Sequence, residues 1–182
     1  MKNFYIISIL GLSAFLLNYN NISYIKRCPN IPGIKNFKVE EYLGNWHEVL
    51  HSKDFIWDYG CQHIQANYTL DNDNNLIVNN SCFRFGKEVT AIGKGQYKEA
   101  GKFLVSFGLF SAPYEVAYID EDYENSIVVS CIDLPLFKPY VWLLSRQPYM
   151  YNYTLNYYLE KIENLGFNKK DLVINKGDYV PL

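Results

Sequence analysis

The chain has 182 residues, 49% of them hydrophobic, a formal net charge of −2 and a pI of about 5.9. That is enough apolar material for one full core, and one domain is the default. The lack of a basic surplus excludes a surface built to hold nucleic-acid phosphates.

Lys2 precedes an apolar run from Phe4 to Leu17, and polar Asn18-Tyr-Asn-Asn21 follows. This is the pattern of a secretory signal peptide. The run is about 14 residues, too short to span a bilayer comfortably. Residues 1–20 are therefore expected to be a leader, cut between Asn18 and Arg27. The mature protein is then soluble, and secreted or held in the lumen of a secretory compartment or vacuole. Cys28, Cys61, Cys82 and Cys131 follow this leader. An even number in an oxidising compartment implies two disulfides, with three connectivities open. No Cys-x-x-Cys or clustered Cys/His spacing supports zinc instead.

Asn36 to Leu50 reads as a short helical turn that feeds a strand. Phe37, Val39, Tyr42 and Leu43 supply apolar contacts, and Gly44 breaks the turn. From Trp46 a period of two puts Trp46, Glu48 and Leu50 on one face and His47, Val49 and His51 on the other. Gln62–Leu70 and Leu76–Phe83 are strand-like, joined by Asp71-Asn-Asp-Asn-Asn75, which reads as a hairpin turn. Pairing Leu70 with Asn75 brings Cys61 and Cys82 almost opposite each other. A Cys61–Cys82 bridge follows as a hypothesis, which leaves Cys28 for Cys131.

Lys87–Lys98 is a strand whose Gly93 and Gly95 permit a bend. Ala100-Gly101 turns into Lys102–Leu109, Ser111-Ala-Pro113 into Tyr114–Asp120, and Glu121–Asn125 into Ser126–Cys131. Leu134–Pro139 connects to Tyr140–Ser145. Eight short strands with turns between them argue for an antiparallel barrel or sandwich. Beyond Pro148 the period becomes helical, with Leu155, Tyr158, Leu159, Ile162 and Leu165 on one stripe. Asn152 is placed to cap that helix and Gly166 to end it. Leu172-Val-Ile174 is a short last strand.

Three local patterns resemble the lipocalin family. Gly44-Asn-Trp46 is similar to the Gly-x-Trp at the start of the first barrel strand. Tyr114-Glu-Val-Ala-Tyr-Ile-Asp120-Glu-Asp-Tyr123 is similar to the Asp-x-x-Tyr form of the second signature, and Val141-Trp-Leu-Leu-Ser-Arg146-Gln-Pro148 to the third, with its arginine. Within the family, Cys28-Pro-Asn-Ile-Pro and the stretch from Cys61 to Leu70 look like apolipoprotein D. Phe103–Phe107 and Gly166-Phe167 look like the bacterial outer-membrane branch.

The resemblance implies an all-β, eight-stranded, antiparallel up-and-down barrel over residues 28–178, with one C-terminal helix packed outside. It also supports the Cys28–Cys131 pairing, whereas Cys61–Cys82 departs from apolipoprotein D. It implies that Arg146 stacks on Trp46 across the closed end, with Gly44, Asp120 and Tyr123 as structural partners. Alternation then turns Glu48, Trp142 and Leu144 inward. Tyr68 matches an inward aromatic of apolipoprotein D, and Tyr118 is a further candidate.

Such a pocket suits a lipid, fatty acid, steroid-like molecule or tetrapyrrole, heme included. The family likeness also links the chain to protection from oxidative damage. No Ser/His/Asp set is recognisable, so no catalytic residue, cofactor or metal is named. The histidines read as surface residues, His47 and His51 on the outer face. An isomerase with a reactive thiol is the enzymatic alternative, and a filled barrel acting through its surface is the other. Phe55-Ile-Trp57 and Leu109-Phe110 would then form an apolar rim for a membrane or a second copy.

Overall fold

The computed structural model describes residues 28–134 and 137–175. The expected leader and the end of the expected domain beyond residue 175 lie outside these. Among the described residues no helix is long and apolar enough to cross a membrane.

A one-turn helix, α1 (Val39–Tyr42), leads into strand β1 (Gly44–Ser52). There follow β2 (Cys61–Leu70), β3 (Leu76–Arg84), β4 (Lys87–Glu99), β5 (Lys102–Phe107), β6 (Phe110–Ile119), β7 (Asn125–Ser130) and β8 (Tyr140–Ser145). Each pairs antiparallel with the next, and β1 pairs with both β8 and β2, so the sheet closes on itself. Closure removes the barrel edges except at the open end, where β1 and β2 part beyond His47 and Gln65. The helix α2 (Asn152–Asn164) and a short β9 (Leu172–Ile174) complete the chain. Asn152 is the first helical residue, and the preceding Tyr151 makes no side-chain cap. At the other end Gly166, with φ 91°, turns the chain and its N–H returns to the Glu163 carbonyl at 2.8 Å.

Two turns differ in detail from the sequence expectation. Leu70 opposes Leu76, one position beyond Asn75, because the Asp71 carboxylate accepts the backbone N–H groups of Asp73 and Asn75 and holds a wider loop. The break expected at Ser111–Pro113 falls instead at Gly108, whose φ is 64°. Pro113 is then inside β6, paired with Leu104. Pairing of β6 with β7 begins only at Glu115, so the missing N–H of Pro113 falls where β6 has β5 as its one neighbour.

Apolar side chains separate into two cores. The inner one fills the barrel with Trp46, Tyr68, Leu76, Phe103, Val116 and Leu144, among others. The outer one lies between the barrel wall and α2, where Leu155, Tyr158, Leu159 and Ile162 cover Leu50, Ile127, Val141 and Leu143. Disulfides join Cys28 to Cys131 and Cys61 to Cys82.

Candidate functional site

The strand directions define two ends. The loops after β2, β4 and β6 and the start of β1 form one end, which is shut. Arg146 lies over the Trp46 ring with 3.8 Å from its guanidinium carbon to the centroid. Its three nitrogens donate to the carbonyls of Tyr123 (3.2 Å), Asn45 (2.7 Å) and Glu41 (2.8 Å). Trp46 is fully buried and its indole N–H donates to the Tyr42 carbonyl at 2.8 Å. Gly44 has φ 92°, and a Cβ there would approach Arg146 Nη1 to 3.4 Å. Asp120 accepts from the N–H groups of Glu124 and Asn125, and from the Tyr158 hydroxyl of α2. Tyr123 accepts the Lys38 N–H on its hydroxyl at 2.9 Å. The three signature segments thus meet in one knot around the closed end.

Above that knot the barrel is filled. Tyr68 stacks on Tyr42, with centroids 5.4 Å apart and planes at 12°. The Tyr114 hydroxyl bridges those of Tyr42 (2.6 Å) and Tyr68 (2.9 Å). Burial pushes the Tyr42 phenol up to about 12, and those of Tyr68 and Tyr114 well above their ordinary value. Tyr68 therefore packs the lower barrel rather than its mouth.

Room exists at the open end. β1 and β2 pair only between Gly44↔Tyr68 and His47↔Gln65, then part. β9 takes up the edge of β1 from Leu50 to Ser52. A cavity of about 490 Å³ opens beside this gap, bordered by His51, Phe55, Ile56, Asp58, Tyr59 and Asn175. Phe55 packs edge-on against Trp142 with centroids 4.9 Å apart. Leu144 lies below, opposite Glu48, and is buried.

Two strand faces differ from strict alternation. The β1–β8 register shifts between Glu48 and Leu50, so Val49 is an extra residue in a bulge. Past it the faces exchange: Leu50 packs in the outer core under α2, and His51 turns inward opposite Trp142. This corrects the expectation that His51 lies outside and Leu50 inside. A second shift, between Val116 and Tyr118 in β6, does the same for Tyr118. Its ring lies outside the barrel against Tyr158, with Lys161 Nζ 4.0 Å from its centroid. Tyr118 is not a pocket residue.

The bulge creates a polar cluster at the mouth that the sequence did not disclose. His51 Nδ1 lies 2.7 Å from Glu48 Oε1, both side chains buried. Asn175 Nδ2 donates to that same Oε1 (3.0 Å) and to the Glu48 carbonyl (2.8 Å). Asp58, from the 3-10 turn Ile56–Asp58, brings a third ligating group, and the three sets of ligating atoms fall within 4.8 Å of one another. One oxygen of Asp58 is buried and accepts no hydrogen bond. Desolvation, and then the Glu48 charge, push the Asp58 carboxyl up to about 7, against the pull of His51, Trp142 and Arg84. Burial opposes the His51 imidazolium, but the hydrogen bond and charge of Glu48 outweigh it and raise its pKa. His51, Asp58 and Asn175 come from a bulged strand, a loop and the last described residue. No sequence periodicity links them.

Comparison with known proteins agrees with this architecture. The family model for the lipocalin-like domain matches residues 37–176. Apolipoprotein D of Bos taurus is 36% identical over 144 residues, 74% of each chain. The outer membrane lipoprotein Blc of Vibrio cholerae is 28% identical over 157 residues, 79% of this chain and 85% of its own. Among solved structures, insecticyanin from the tobacco hornworm Manduca sexta superposes with a TM-score of 0.70 at 18% identity, over 87% of this chain and 93% of its own. With a closed eight-stranded barrel, an outer helix and a signature knot at the closed end, the chain belongs to the lipocalins.

Proposed function

We propose that this lipocalin is secreted and that it carries or sequesters one small hydrophobic molecule at the open end of its barrel. The observation that carries this is the cavity of about 490 Å³ between β1, β9 and the Phe55–Tyr59 loop. Ligand sites are commonly about 300–1,000 Å³, apolar, with a few convergent polar groups. Because Tyr42, Tyr68 and Tyr114 fill the barrel below, the cargo sits shallow. A compact ring system fits that depth better than a long acyl chain. Phe55, Ile56 and Tyr59 would meet its apolar part, with Trp142 backing Phe55, and Asn175 its polar end, while Glu48 and Leu144 lie beneath. All four cysteines are in disulfides, which leaves no thiol for the isomerase alternative. The same two bridges suit an oxidising, extracellular setting.

Native mass spectrometry before and after organic extraction tests this on protein from its own source. A discrete extra mass lost on extraction is expected. An unmodified mass, with tryptophan fluorescence unmoved by retinoid, fatty acid or heme, overturns the reading. A second reading, contact with a lipid surface or another copy, draws on the exposed rim. Ile56, Trp57, Phe85, Leu109 and Phe110 all lie on open-end loops or strand ends and are between 68% and 99% exposed. Co-flotation with phosphatidylcholine vesicles separates the lipid surface from self-association, which light scattering reads.

A further inference from the structure

We propose that Glu48, His51 and Asp58 form a three-ligand site for a divalent transition-metal ion at the mouth of the barrel. The geometry comes from two independent devices. The Val49 bulge puts Glu48 and His51, three residues apart, on one inward face. The 3-10 turn of the next loop then brings Asp58 over them. One carboxylate or imidazole atom from each lies within 4.8 Å of the other two, a spacing that a single cation can bridge with small side-chain adjustment.

The donor chemistry selects the ion. One imidazole and two carboxylates without a thiolate suit Zn²⁺, Mn²⁺, Fe²⁺ or Co²⁺, and the imidazole disfavours Ca²⁺ and Mg²⁺. Two carboxylates neutralise the ion on binding. The buried Asp58 oxygen with no hydrogen-bond donor is a group whose desolvation a cation would offset. His51 and Arg84 favour the Asp58 carboxylate by charge, but neither donates a hydrogen bond to its buried oxygen. Arg84 donates to the Trp57 carbonyl and to Cys61 Sγ, and Lys53 is exposed at the cavity edge.

Asn175 supplies the outer support that metal sites need, holding Glu48 through two hydrogen bonds. Three protein ligands leave further coordination positions, and the neighbouring cavity gives solvent or a small chelating molecule access to them. The site does not depend on the cargo reading, because the ion is held by protein groups alone.

The test uses untagged full-length protein, stripped with EDTA and titrated with CoCl₂ and ZnCl₂. A visible Co²⁺ spectrum and a calorimetric stoichiometry of one are expected. Removing an outer-shell partner alone costs about 10–100-fold in affinity, so D58N and H51Q should each weaken binding by at least about 100-fold, and N175A by about 10-fold. D58N changes a loop residue outside both cores, so it remains informative if H51Q does not fold. Circular dichroism checks each variant. Absence of a cobalt spectrum overturns the proposal, as does a site that D58N and H51Q leave unchanged.

Discussion

Arg146 does more than one side chain usually does. It caps three carbonyls from three separate segments and covers the Trp46 indole. A cation–π contact is worth about 1 kcal/mol, and charged hydrogen bonds about 1.5–3 kcal/mol each when a partner is left buried. R146A should therefore cost about 2–4 kcal/mol, read from urea unfolding. R146K keeps the charge but not the planar fork, and should recover less than half. The tyrosine trio makes a second prediction, for alkali. The Tyr42 phenol is raised from 10.0 to about 12, and Tyr68 and Tyr114 also titrate above their ordinary value. A group raised in the folded state contributes stability that is whole below its unfolded value and lost as pH climbs through the folded one. Stability should thus hold to about pH 10 and fall between about 10 and 12. Tyrosinate absorbance would show these three ionising only as the far-ultraviolet dichroism collapses. Their titration in step with exposed tyrosines would contradict the buried trio.

The helix α2 and the strands it covers show what alternation can and cannot reveal. Its stripe was plain in the sequence, because Leu155, Tyr158, Leu159 and Ile162 recur at helical spacing and all are buried. Ile162 is fully buried against the barrel wall, so I162A should cost about 2–5 kcal/mol in thermal or urea melts. Since the helix packs outside, cargo affinity should stay within about twofold. A parallel loss of binding would mean that the wall itself has moved. The turns were legible in part: Asp71-Asn-Asp marks its hairpin, whereas Gly108, and not Ser111–Pro113, makes the turn between β5 and β6. The bulges were not. Val49 and Leu50 are both apolar, and both faces of β1 are buried there, so either register puts a hydrophobe inside. Nothing in that pattern marks the slip that turns His51 inward. Tyr118 escaped for the same reason, since an aromatic suits the barrel interior and the helix interface equally. The closed end was readable because its partners are fixed by residue type: only an arginine can reach three carbonyls and an indole at once.

For the whole molecule, the two disulfides differ in what they constrain. Cys28–Cys131 spans 103 residues and Cys61–Cys82 spans 21. On the loop-entropy model the first contributes about 5 kcal/mol and the second about 3. C28S/C131S should thus lower the urea midpoint more than C61S/C82S does. The reverse order would mean that the β2–β3 hairpin retains structure after unfolding. The short bridge lies beside the cavity, with Cys61 in its lining, so its loss should also weaken cargo retention. The long one anchors the N-terminal segment, whose Ile31 joins the outer core.

The wall of the cavity is shared with β9 and Asn175, which come after every barrel strand and after the helix. The eight barrel strands close without this segment, but the side of the mouth is unlined until it docks on β1. Glu48 likewise lacks its Asn175 partner until then. If the cavity is the binding site, docking of β9 on β1 is what finishes the vessel: a barrel whose eight strands have paired without it has one side of its mouth missing and should retain no ligand.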